Sequence, residues 1–235
     1  MNSNASEPIG QFFSNSWAVY EKVVEGDHLS HQGLYQGLGA FLCSRTGPLR
    51  LLELGCGDCR LTAPLLQSAG VQEYLGIDSS GVALELARAR LGPDVQRCKL
   101  AQGDVRTCLA GLQSGWNVVL ASFCLHHLST TEKQAVLRDI RQVLPEGGAF
   151  LLVDVFLAEG ESREDYLRRR HAAMRREWSG LTGPELDIIT AHECQSDFPE
   201  TVSDYASWAR EAGFMGAAVS LALDEGMHSW MTFEG

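Results

Sequence analysis

The sequence predicts an α/β fold, a doubly wound and mostly parallel sheet, and three observations carry that reading. An apolar run over residues 49–54, interrupted by Arg50 and Glu53, empties into Gly55 and Gly57, where a strand must turn sharply into a helix. A second short strand ends in Asp78, about 20 residues beyond those glycines, the separation at which a carboxylate reaches a nucleotide ribose. Two nearly continuous apolar runs, residues 116–123 and 149–156, have the composition of central parallel strands covered on both faces.

Composition narrows the function classes. A chain of 235 residues with 45% hydrophobic and 21% charged content can bury a core of its own as one domain. Its net charge of -11 argues against a sequence-independent grip on nucleic acid or anionic lipid, so neither is expected as a partner. No signal-like segment opens the chain and no apolar run approaches a membrane span, which leads to the expectation of a soluble, cytoplasmic protein. The seven cysteines are odd in number and scattered, as reduced thiols are. Cys56 and Cys59 form a C-x-x-C, but Cys98, Cys108 and Cys194 supply no second pair, and no metal is expected.

The elements follow in order. Over residues 11–25, Phe12, Phe13, Ser16, Trp17, Tyr20, Val23 and Val24 recur at helical spacing, and a second helix runs from His28 or Leu29 to Leu42. The helix after the glycine turn extends to about Gly70, with Pro64 near its start. Ser79 and Ser80 can cap the next helix, and a weaker strand over 95–101 leads to Asp104, a candidate N-cap for a helix over 106–112. Thr130 or Thr131 can cap the helix that Pro145-Glu146-Gly147-Gly148 stops. Residues 157–199 are charged and helical, and Arg163, Leu167, His171, Met174 and Trp178 share one face of the first helix there. A helix over 203–214 closes on Gly213, and strands over 217–223 and 227–233 form a terminal hairpin.

Glu53-Leu54-Gly55-Cys56-Gly57 resembles the first motif, acid-x-Gly-x-Gly, of the class I S-adenosylmethionine-dependent methyltransferases. The third glycine of a dinucleotide fingerprint is replaced by Arg60. An acid just before the glycines suits a ligand bearing an ammonium and a sulfonium and repels a pyrophosphate. Ser122-Phe123-Cys124-Leu125-His126-His127-Leu128, Leu144-Pro145-Glu146-Gly147-Gly148 and Ala212-Gly213-Phe214 are similar to later segments of the same enzymes. A nicotinamide-dependent NAD(P) oxidoreductase explains the glycines and Asp78 but not Glu53, Arg60 or the hairpin. A silent S-adenosylmethionine-binding module stays open.

The resemblance implies a seven-stranded sheet whose last strand is antiparallel, within a single domain over 1–235. It divides into an N-terminal helical cover (1–46), a cofactor-binding core (47–156), a helical lid after strand five (157–200) and a C-terminal helix and hairpin (201–235). S-adenosyl-L-methionine is the implied cofactor and methyl transfer to a small molecule the implied activity. Tyr20, His28 and His31 are candidates for its methionine end or for substrate, Tyr20 and His31 being assigned to the cofactor. Glu53, Gly55, Cys56 and Gly57 stand at the turn, and Asp78 and Ser79 at the next strand end, where Asp78 reaches the ribose. Asp104 and Val105 fall to the adenine, and Ser122 and His127 to the space beyond the fourth strand. His126 and His171 are the candidate catalytic residues, because imidazole takes a proton near neutral pH. Arg163 or Arg170 could pair with an acidic acceptor.

Overall fold

The computed structural model describes residues 16–92, 97–223 and 227–235. Two helices come first, α1 (Trp17–Glu25) and α2 (His31–Ser44). The predicted helix positions Phe12 and Phe13, and the hairpin turn at 224–226, lie outside the described residues. The core alternates β1 (Leu49–Leu54), α3 (Thr62–Ser68), β2 (Val71–Asp78), α4 (Gly81–Leu91), β3 (Cys98–Gln102), β4 (Val118–Ser122), α5 (Thr130–Val143) and β5 (Ala149–Leu157). The insertion holds α6 (Arg163–Glu177) and α7 (Gly183–Ser196). β6 (Glu200–Thr201), α8 (Val202–Glu211), β7 (Gly216–Leu223) and β8 (His228–Glu234) finish the chain.

Across the sheet the strands run β3-β2-β1-β4-β5-β8-β7. The five from β3 to β5 pair in parallel, and β8 is antiparallel to both of its neighbours. The expected seven strands are joined by an eighth, the two-residue β6, which pairs with the end of β5 as the chain leaves the lid. Chain order reverses at β1, between β2 and β4, which opens a crevice at the carboxyl ends of those strands.

Period-two alternation divides the core between the two sheet faces. Leu52 and Leu54 of β1 join Val136, Leu137 and Ile140 of α5 and Tyr205 of α8 on one face. Leu51 faces the other way, with Leu34 and Leu38 of α2, Leu66 of α3 and Leu84 of α4. Each such fully buried side chain contributes about 1.5–3 kcal/mol. Over the end of β5, Val155 packs with Tyr166 and Leu167 of the lid. The lid also touches the N-terminal cover, where Lys22 pairs with Glu185 at 2.6 Å and the His28 ring stacks on Trp178.

Two local expectations are corrected. Ser129, not Thr130 or Thr131, caps α5, because Glu132 three residues on completes a reciprocal capping box. Residues 105–112 form turns rather than a helix, and Asp104 accepts a 2.8 Å hydrogen bond from the Arg106 N–H, two residues along. No helix among the described residues is long and apolar enough to cross a membrane.

Candidate active site

β1 stops where the backbone turns left-handed, at Gly55 (φ +69°) and Gly57 (φ +53°). A Cβ at Gly55 would lie 2.7 Å from that of Cys124, whereas one at Gly57 would meet nothing within 4 Å. The first glycine therefore lets the turn pack against the chain after β4, and the second leaves backbone open to a ligand. Asp78 fastens the turn from the neighbouring strand, accepting from the Gly57 and Ser80 N–H groups at 2.8 Å each. Burial pushes its carboxyl up, and those N–H groups oppose the shift.

Glu53 is buried behind the turn and accepts from the Thr62 hydroxyl at 2.7 Å and the Tyr74 hydroxyl at 2.5 Å. Its partners are thus side chains of α3 and β2 rather than the glycine loop. Burial pushes its carboxyl up to about 7, against the two hydroxyls. Cys56 and Cys59 pack in the core beside Tyr74, and Cys59 together with burial pushes the Cys56 thiol up.

A cavity of about 770 Å³ surrounds this turn, and every residue assigned above to the cofactor lines it. Its wall carries four acids, Glu53, Asp58, Asp78 and Asp104, against Arg60 and Arg106. Both arginines are engaged by carboxylates, Arg60 by Glu21 at 2.9 Å and Arg106 by Asp104. Asp104 is spent on Arg106 and Asp58 on Arg60 and Arg90 in turn. Among the described residues Glu53 and Asp78 are thus the wall acids without an arginine partner, and a cation meets the better complement there. Beyond β4, the Tyr35 hydroxyl donates to Ser122 at 2.9 Å and ties α2 to the strand end.

A smaller cavity of about 110 Å³ adjoins the first and shares Tyr20, Phe123 and His127 with it. Phe123 leaves β4 with φ +49°, a conformation that costs a non-glycine residue strain and swings residues 124–127 across the sheet end. His126 there pairs through Nδ1 with Asp154 of β5, whose other oxygen accepts from the His126 backbone N–H at 3.1 Å. Burial lowers the His126 pKa, but Asp154 and Asp197 outweigh it, for a net rise. Asp197, just past α7, lies 3.2 Å from His127 Nδ1 and 3.8 Å from His126 Nε2. Burial opposes its ionisation, yet the two imidazoles hold its carboxyl below the usual range.

Residues 51–148 match the family model described as a methyltransferase domain. Arsenite methyltransferase of Rattus norvegicus is 31% identical over 140 residues, which cover 56% of this chain and 37% of that protein. The magnesium protoporphyrin IX methyltransferase structure from Synechocystis, with bound S-adenosylhomocysteine, superposes with a TM-score of 0.69 at 14% identity, covering 97% of this chain and 98% of that one. Residues 51–148 thus carry a methyltransferase domain, and the fold around it is that of S-adenosylmethionine-dependent methyltransferases. A highly reducing polyketide synthase of Cordyceps militaris is 28% identical over 123 residues, 46% of this chain but 4% of the synthase. The chain thus spans well under two thirds of the length of these two curated relatives.

Around these two cavities the two histidines singled out for catalysis part company. His126 lines the smaller cavity. His171 lines neither cavity and instead stands 3.0 Å from Glu193 Oε2. The inward face of α6 carries Tyr166, Leu167, Arg170 and Met174, so it keeps Leu167 and Met174 of the expected stripe and takes Tyr166 and Arg170 in place of Arg163 and His171. The Arg170 guanidinium takes the inner position, 2.8 Å from Glu193 Oε1 and over the Trp178 ring. Arg163 is spent on the carbonyls at the end of α7, donating to Asp197 at 2.6 Å and Cys194 at 2.8 Å.

Sequence reasoning missed Tyr35, Asp154, Asp197 and His192. Asp154 had a signal, a lone acid inside a strand otherwise buried along its length. Asp197 and His192 had none, because only the packing of α7 brings them to the wall.

Proposed function

We propose that this chain transfers the methyl group of S-adenosylmethionine to a small acceptor whose ionisable end sits in the smaller cavity, beside His126, His127 and Asp197. The junction of the two cavities carries this reading: an acid-walled cleft around a glycine turn meets a mostly apolar pocket at Tyr20, Phe123 and His127. The residues present fit the cofactor. Gly57 leaves backbone open to close approach, and Glu53 and Asp78, the wall acids without an arginine partner among the described residues, suit a ligand with an ammonium and a sulfonium. The same acids would repel the pyrophosphate of NAD(P). When bound, the cofactor supplies a methyl group on a sulfonium, already an excellent leaving group.

The chain's own part is binding, alignment and proton management. Asp78 is offered to the ribose, Asp104 and Val105 to the adenine, and Glu53 provides negative charge behind the glycines. Val19, Val23, Phe123 and Trp178 exclude water from the acceptor. The acceptor's proton leaves at the His126 end, where Asp154 fixes the imidazole ring. His171, paired with Glu193 outside both cavities, takes no proton from the acceptor.

Calorimetric titration with S-adenosylhomocysteine and, separately, NADH tests the cofactor reading. Heat with S-adenosylhomocysteine alone is expected, and heat with NADH alone contradicts it. Screening small hydroxyl, thiol and amine acceptors with labelled cofactor separates an enzyme from a silent binding module.

A further inference from the structure

We propose that His126, His127 and Asp197 form a divalent transition-metal site, with Zn2+ as the first candidate, at the inner end of the smaller cavity. Ligand atoms from the three side chains lie within 4.8 Å of one another. Asp197 Oδ1 is 3.2 Å from His127 Nδ1 and 3.8 Å from His126 Nε2. Zinc bonds of about 2.0–2.2 Å at tetrahedral angles put neighbouring donors roughly 3.3–3.5 Å apart, so the group closes on a cation with small side-chain movement. Two imidazoles and one carboxylate are a borderline donor set that suits zinc and its neighbours rather than calcium or magnesium. Three protein ligands leave a fourth position open, and all three residues border the cavity.

Two further observations point to a ligand. Asp197 is 5% exposed, and its Oδ1 stands between two imidazoles without a well-directed hydrogen bond from either, 3.2 Å from His127 Nδ1, which also faces the Ser196 carbonyl at 3.3 Å. A buried acceptor in that state requires an explanation. The second is the partner behind His126. Asp154 takes Nδ1, leaving Nε2 to face Asp197, and a carboxylate backing an imidazole is how metal-ligating histidines are oriented. Nearby cations are committed elsewhere: Lys133 to the Phe198 carbonyl and Glu200, Arg170 to Glu193. Among the described residues, no lysine or arginine pairs with the carboxylate of Asp154 or Asp197.

The role of this site rests on the methyl-transfer reading; its existence does not. A cation with an open position would acidify an acceptor hydroxyl or thiol entering the cavity. The proton passes to water, the acceptor atom bonds to the methyl carbon, and the methyl–sulfur bond breaks with its electron pair left on sulfur. His126 then acts as a ligand, and the metal takes over the acidifying task.

The test uses the full chain, stripped with chelator, loaded by dialysis against Zn2+ or Co2+ and counted for retained metal. One zinc per chain and the intense visible absorption of four-coordinate cobalt are expected. Asp197→Asn and His126→Gln should lose both signals, and Asp154→Asn should weaken zinc affinity by about 10–100-fold. Retention below one tenth of a zinc per chain, or a weak six-coordinate cobalt spectrum in the unsubstituted chain, overturns the proposal, as does undiminished binding in folded Asp197→Asn and His126→Gln. If those variants fail to fold, the cobalt spectrum of the unsubstituted chain decides. S-adenosylhomocysteine is titrated into the stripped chain in parallel. Its binding without retained metal sinks the metal site alone, and retained metal without its binding sinks the methyltransferase reading alone.

Discussion

The two cavities meet at Tyr20, Phe123 and His127 but are built in different ways. The wall around the glycine turn comes from the ends of β1 to β4, covered by α1 and α2, and its key contacts span one βα unit, as when Asp78 holds Gly57. The wall of the smaller cavity gathers α1, the chain after β4, β5 and both lid helices, and its central group joins His127 to Asp197, 70 positions away. One is a product of local backbone geometry and the other of how a lid docks. Substitutions should therefore separate into those that change cofactor affinity and those that change the lid.

The largest effect is expected on the lid side. Arg170→Ala removes one partner of a buried ion pair, 2.8 Å from Glu193 with both side chains about 5% exposed, and leaves the carboxylate behind. Stability should fall by about 3–5 kcal/mol in urea denaturation. A loss under 1 kcal/mol would mean that the lid is not held through this pair. On the other side, Gly55→Val forces a β-branched residue into φ +69° with its Cβ against Cys124. Affinity for S-adenosylhomocysteine should drop by roughly 3 kcal/mol, the upper range for local backbone strain. Asp78→Ala comes next, with a loss of about 1–3 kcal/mol in the same titration, as for hydrogen bonds to a charged acceptor. If Asp78→Ala also slows lid-dependent steps such as acceptor binding, the two regions are less separate than their construction suggests.

The smallest effect is one of pH. Burial raises the Glu53 carboxyl to about 7, so the folded chain holds that proton more tightly than the unfolded one. Its stabilising contribution is complete at pH values below its unfolded pKa of about 4.5 and is lost as the pH rises through about 7. Cofactor affinity runs the other way, because a cationic ligand selects the ionised carboxylate. Binding of S-adenosylmethionine should tighten by up to about tenfold from pH 6 to pH 8, and that of S-adenosylhomocysteine, which lacks the sulfonium, by less. Glu53→Gln should flatten that rise, and an unchanged slope would take Glu53 out of the recognition.

This division also explains what could be read from the chain. Gly55, Gly57, Glu53 and Asp78 follow from turn chemistry and strand spacing, which are local, and the order of strands follows from where apolar runs and helices alternate. The capping of α5 was misassigned by one residue because Ser129, Thr130 and Thr131 are all capable caps and only Glu132 chooses among them. His171 was misdirected for a different reason. Its helical stripe keeps Leu167 and Met174 inward, but Arg170 takes the inner position between them and reaches Glu193 Oε1, while His171 meets the other oxygen of that carboxylate. Asp197 carried no sequence signal, since its significance depends on two histidines delivered by the segment after β4, 70 positions earlier in the chain.

A crystal structure of the chain with S-adenosylhomocysteine tests the central claim most directly. The expected result is the ribose on Asp78, the adenine beside Asp104 and Val105, and the sulfur at the junction of Tyr20, Phe123 and His127, facing the smaller cavity. A ligand outside the glycine-turn cavity, or one whose sulfur faces away from that junction, would contradict it.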